Sequence, residues 1–127
     1  MKRIATYIIL FLVVGFGITG CYKDYIIPET VADPDGPPQF VSYNAELKPF
    51  FNANCAKSGC HLSPAHKPYM NSEISYNQIV GGGFVNTLVP KESILYIMIN
   101  GEMKEFIPNA TDRQKVYDWI RNGAPNN

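Results

Sequence analysis

The tightest constraint on this chain is the stretch FNANCAKSGCHLSP, residues 51–64, which sets Cys55, Cys60 and His61 in one short loop. Thiols and an imidazole held so close serve three chemistries: a disulfide, a zinc ion, or covalently attached haem. A disulfide between Cys55 and Cys60 closes a small ring and leaves His61 without a role. A zinc site draws on Cys55, Cys60, His61 and His66, all ligands of suitable type. It must then bring adjacent Cys60 and His61 to one small tetrahedral ion, where structural sites usually space their ligands by two or more residues. Haem attachment gives that adjacency a purpose, because the sulfur anchors the porphyrin edge while the next side chain sits under the iron. Here Ala56, Lys57, Ser58 and Gly59 separate the two cysteines. Residues five apart on a regular helix do not share a face, so this spacing predicts a bulge, with Ser58 and Gly59 suited to its turn.

The chain opens as an export signal. Lys2 and Arg3 precede the apolar run IATYIILFLVVGFG, and small residues then lead to Cys21. That order is a positive start, an apolar middle and a small-residue processing site. Gly15, Gly17 and Gly20 interrupt the run where a membrane-spanning helix would have to continue. The tetrapeptide ITGC resembles a bacterial lipobox. The resemblance implies cleavage after residue 20 and a lipidated Cys21, which leaves only Cys55 and Cys60 in the folded part. Residues 21–39 carry Pro28, Pro34, Pro37 and Pro38 among acids and have no helical period. They read as an extended tether. The YKD that follows Cys21 is similar to the Lys–acid surface-export signal of Bacteroidetes lipoproteins. An outer-membrane lipoprotein, facing the periplasm or the cell surface, is the expected location.

Residues 40–127 form one small domain of about ninety residues by the usual size of domains. At this length a core is marginal, and exported domains often add a staple. Eleven basic residues balance eleven acidic ones, which excludes the basic surface that nucleic acid demands. The periodicity is helical throughout, and no segment reads as a strand. Leu47, Phe50 and Phe51 make one apolar face running into Cys55, with Pro49 acceptable only in a first turn. Ser72 is a candidate cap for a helix that uses Ile74, Ile79 and Val80 and stops at three glycines. Pro90 opens a helix that carries Ile94, Leu95, Ile97 and Met98 to Gly101. Thr111 and Gln114 form a capping box before Val116, Trp119 and Ile120, and Gly123 and Pro125 end the run.

These parts, in order, resemble a small class I cytochrome c of the kind found in Bacteroidetes and planctomycete proteins. The matching pieces are FFNANCAKSGCH, SYNQIV, VPKESILYIMINGEM and VYDWIRNGAPNN, which together span nearly all of residues 40–127. The resemblance implies an all-α fold of about four helices around one covalent haem c. Cys55 and Cys60 are then its thioether anchors and His61 the proximal iron ligand. The family places its distal methionine in the loop before the last helix, which points to Met103, although KEFI stands between it and Pro108. Met70, in a Pro-rich segment, is the second choice, and Met98 shares a helical stripe with Ile94 and Leu95 that predicts core packing. The family's usual acceptor for the ring N–H of the histidine lies near Pro64.

His66 reads as an exposed loop histidine, with a haem-propionate contact as its other role. Trp119 is either core or a haem neighbour packed through Phe50 and Phe51. Lys57 and Lys67 flank the site, with Lys48 and Lys104 as further cations for an acidic partner. The function implied is a lipid-anchored, single-electron carrier serving a redox partner protein in the envelope, not an enzyme. Two other readings use the same residues: a haem sensor with an open coordination position, and a haem-free surface lipoprotein stapled by a disulfide or zinc and acting as a binding module.

Overall fold

The computed structural model describes residues 35–127; the expected leader, Cys21 and most of the tether lie outside the described residues. All regular structure among those residues is helical, and none is strand. The all-α expectation therefore holds.

The first helix begins with a widened, π-helical turn, Tyr43–Leu47, that runs into the α-helix Lys48–Asn54, here α1. Proline explains the widening. Pro49 has no N–H to donate back along the helix, and its ring crowds the preceding turn. The α-helical part accordingly starts at Lys48, with Pro49 in its first turn as expected. Ser42 caps the entry, its Oγ accepting from the Ala45 N–H at 3.2 Å, while Glu46 accepts from the Ser42 N–H at 3.3 Å. This reciprocal arrangement satisfies two amide donors at the helix start.

A second π-helical turn, Asn77–Gly81, follows the loop. Ser72 does not cap it. The Asn71 carbonyl accepts from both Ile74 and Ser75, so Ser72 sits one residue inside the turn. Pro90–Glu92 makes only a 3₁₀ turn, and the chain then extends at Ser93 before α2, Ile94–Asn100. Ser93 is buried and spends its hydroxyl on the loop, accepting from the Asn86 N–H at 2.9 Å. A 3₁₀ turn, Lys104–Phe106, leads to the last helix, α3, Ala110–Arg121.

The cap of α3 corrects the sequence reading. Asn109, rather than Thr111, is the N-cap, its Oδ1 accepting from the Thr111 N–H at 2.8 Å. Asparagine caps as well as threonine, and its position starts the helix earlier. Gln114 is consequently free of the cap and donates to Asp118 Oδ1 at 2.9 Å.

The core is an aromatic contact between the ends of the domain. Trp119, fully buried, lies 5.3 Å from the Tyr43 ring, and Tyr76 meets Tyr43 edge-on at 5.0 Å. The polar tips are satisfied. Tyr43 donates to Ser75 Oγ at 2.7 Å, Tyr76 to the Ala124 carbonyl at 3.0 Å, and Trp119 Nε1 to the Pro125 carbonyl at 2.9 Å. Leu47, Phe51, Ile79, Val116 and Ile120 fill the space around them. Asn127 closes the domain by accepting the Tyr43 N–H on its side chain and the Asn44 N–H on its backbone, each at 2.8 Å. Gly123, at φ +88°, supplies the left-handed residue that turns the tail back at the end of α3.

Trp119→Ala is expected to cost about 3–5 kcal/mol in urea unfolding. Asn109→Ala should cost about 1 kcal/mol while Thr111→Ala changes little. The reverse order would restore Thr111 as the cap.

Candidate functional site

The Cys–His loop is built by converging backbone hydrogen bonds. Cys55 ends α1, its N–H donating to the Phe51 carbonyl at 2.8 Å. Cys60 N–H then donates to the Lys57 carbonyl at 2.9 Å, with Gly59 at φ +78° in the turn. His61 N–H returns to the Cys55 carbonyl at 3.1 Å. The bulge expected at Ser58 and Gly59 is thus a turn that carries His61 back to the end of α1.

The histidine ring is fixed by its second nitrogen. His61 Nδ1–H donates to the Pro68 carbonyl at 3.0 Å. A carbonyl can only accept, so the proton sits on Nδ1 and the Nε2 lone pair is left for a metal. The expected acceptor is a backbone carbonyl near Pro64, and the one used is four residues further on. Pro64 instead lies in an exposed turn, whereas Met70 N–H bonds the His61 carbonyl at 2.8 Å and draws buried Pro68 alongside the ring.

These residues face a cavity of about 430 Å³ with an almost wholly apolar lining. Cofactor sites run from about 300 to 1,000 Å³ and have this character. Cys55, Cys60 and His61 line it from the loop, and Leu95, Met98 and Met103 from α2 and the turn beyond. The residues named from the sequence as anchors, proximal ligand and distal ligand are therefore gathered in one cavity. Met70 also lines it but is a core residue at 4% exposure. Met98 departs from expectation. It is half-buried and faces the cavity, while Leu95 and Ile99 take the buried positions of α2. A helix turns about 100° per residue, so Ile94 and Met98 lie beside the buried pair Leu95 and Ile99, and all four line the cavity. Trp119 is not among the lining residues; it belongs to the core with Tyr43.

His66, Lys57 and Lys67 line the cavity at its rim, and His66 and both lysines are exposed. Lys48 donates to the Asn44 side chain instead, and neither it nor Lys104 lines the cavity. Arg113 is the residue that sequence reading missed. Its Nη1 donates to the carbonyls of Ile107 and Pro108 at 2.6 and 2.7 Å, and its Nε to Asn100 Oδ1 at 3.1 Å. One guanidinium from α3 thereby ties the end of α2 to the segment that follows Met103. A cation in the first turns of a helix opposes the helix dipole, and that misplacement was the available signal.

Both loop cysteines are free thiols. Burial pushes the Cys55 thiol up to about 11, with Lys57 opposing the shift. No three His, Cys, Asp or Glu side chains among the described residues converge on a metal position, which leaves the four-ligand zinc arrangement without support. A porphyrin iron needs no such convergence, because the ring supplies four nitrogens and the protein only axial donors. The residues fit that group: two unpaired thiols, one imidazole with a fixed tautomer, and thioethers in an apolar enclosure. No helix among the described residues is long and apolar enough to cross a membrane. Comparison with known protein families, with curated proteins and with solved structures found no match.

With both thiols free, the pH dependence of alkylation separates the cysteines. At pH 8 only about one Cys55 in a thousand is thiolate, so Cys55 should alkylate more slowly than an unburied thiol. Its rate should climb until the pH passes about 11, and stability of this form should fall over the same rise, from about 9 to 11. Exposed Cys60 should label readily at pH 8. Equal rates at that pH would contradict the burial of Cys55.

Proposed function

We propose that the chain is a lipid-anchored, monohaem c-type cytochrome that carries single electrons in the bacterial envelope, with the fold of a small class I cytochrome c. The observation that supports it best is that one apolar cavity is lined by Cys55, Cys60, His61 and Met103 together, with His61 Nδ1 tied to Pro68. When bound there, a haem supplies the one-electron iron chemistry.

The chain's residues do the rest. Cys55 and Cys60 would hold the group through thioether bonds, each formed by adding an S–H across a vinyl group, with the hydrogen going to the neighbouring carbon. No oxidant is consumed. His61 would offer Nε2 to the iron, and the Pro68 carbonyl, accepting from Nδ1–H, holds the ring in place. Met103 would offer a thioether to the iron, a donor that favours a raised potential. Phe51, Leu95 and Ile99, buried and lining the cavity, would shield the group from water. Electron transfer needs no substrate pocket, so this reading makes the protein a carrier and not an enzyme. The rim cations Lys57 and Lys67, with His66, suit an acidic face on a redox partner protein. Cys21 holds the lipid and begins the tether, residues 21–39, that joins the domain to the outer membrane on either its periplasmic or its external side. The end of that tether is fastened to the domain by Asp35 on Lys91 and Gln39 on Asp118.

Protein matured in cells with cytochrome c assembly machinery should show the mass of one added haem. Cys55→Ser and Cys60→Ser should each remove one thioether. A mass lowered only by the two hydrogens of a disulfide would refute the assignment. His61→Ala should disturb the iron spectrum more than any other single substitution. Cys21→Ser should abolish palmitate labelling, and labelling that persists would remove the lipobox.

A further inference from the structure

Two thioethers, not one, reach the cavity from neighbouring points of the chain. Met98 is half-buried on the cavity face of α2, and Met103 lines the same cavity from the turn beyond. The Met98 carbonyl accepts from the Met103 N–H at 2.9 Å and from the Gly101 N–H at 3.2 Å. One backbone oxygen thus gathers the whole turn and holds the two side chains' origins together. Met70 differs on both counts. It is buried in the core at 4% exposure, and its N–H bonds the His61 carbonyl at 2.8 Å, so it travels with the histidine's own segment.

We propose that Met98 is a second, interchangeable sulfur donor for the iron position assigned to Met103. The inference rests on the haem-attachment reading. The two donors are chemically identical, so reach and ordering cost decide between them. Methionine has three rotatable bonds and adapts to irregular space. Met98 starts from a helix already fixed by Leu95 and Ile99 in the core, so committing its side chain orders little else. Met103 starts from a turn held on its far side by Arg113 through the Ile107 and Pro108 carbonyls. Each sulfur is therefore presented by an anchored backbone, and whichever is unbound stays in the cavity wall as a reserve. Loss of Met103 passes the position to Met98 and does not open it.

The test uses the full, matured chain. Met103→Leu, Met98→Leu, Met70→Leu and the double Met98→Leu/Met103→Leu variant keep the cavity nearly filled, since leucine and methionine are close in volume. Covalent haem is first established in each by staining after denaturing electrophoresis, and the oxidised spectrum and midpoint potential are then recorded. The expected result is a methionine–iron charge-transfer band in all three single variants, with its loss and a fall in potential only in the double variant. Loss of the band in Met103→Leu with haem attached would overturn the inference and leave Met103 as sole distal donor. A band surviving in the double variant would also overturn it and point to Met70. Wild-type protein without covalent haem would instead overturn the attachment reading, and the inference with it.

Discussion

The hydrogen bond from the His61 N–H to the Cys55 carbonyl, 3.1 Å long, closes the loop on which the site depends. Without it, four intervening residues would leave the second thiol and the imidazole pointing away from the end of α1. The bond can form because Gly59 takes a left-handed conformation that other residues adopt only with strain. From that closure the rest of the segment follows. His66 bonds back to Cys60, Met70 bonds back to His61, and Pro68 comes beside the imidazole. The loop has no regular structure, yet its backbone groups are spent on defining one ring orientation.

The two stretches that line the cavity are held by different means. The loop side inherits its position from α1, which is locked to α3 by the Tyr43, Tyr76 and Trp119 cluster. The α2 side is fastened to α3 by stacking of Tyr96 on Tyr117 at 4.6 Å and by the Arg113 clamp. Both therefore report to the last helix, and the buried Asp118 of that helix also receives the Gln39 N–H at 3.2 Å. A small domain with a marginal core gains from such cross-ties, because each fixes two segments at the entropic cost of about one. Ile94 and Phe106, which line the cavity these ties enclose, are about half exposed.

Element type was legible in the sequence because it rests on periodicity and punctuation. Val116, Trp119 and Ile120 are buried as their spacing requires, and Pro49 falls in the first turn of α1. Caps were less legible. Asn109 competed with Thr111, and Ser93 spends its hydroxyl on a loop that periodicity does not describe. The clustering of Cys55, Cys60 and His61 was readable because they are neighbours in the chain. The Pro68 acceptor, the cavity position of Met98 and the clamp by Arg113 were not, since each depends on contacts made only after the chain folds. Met98 is the instructive case. An apolar stripe on a helix can face a core or a cofactor cavity, and sequence alone does not separate the two.

On the proposed reading, the apolar cavity would hold covalent haem, with Cys55 and Cys60 as its anchors and His61 as its inner ligand. Acid–acetone extraction of protein matured with cytochrome c assembly machinery tests this most directly, because it removes haem that is merely bound and leaves haem that is bonded. Haem colour should stay with the precipitated wild-type protein and pass to the solvent, or never appear, when both cysteines are replaced by serine. Colourless wild-type protein, or colour extracted from it completely, would contradict the claim.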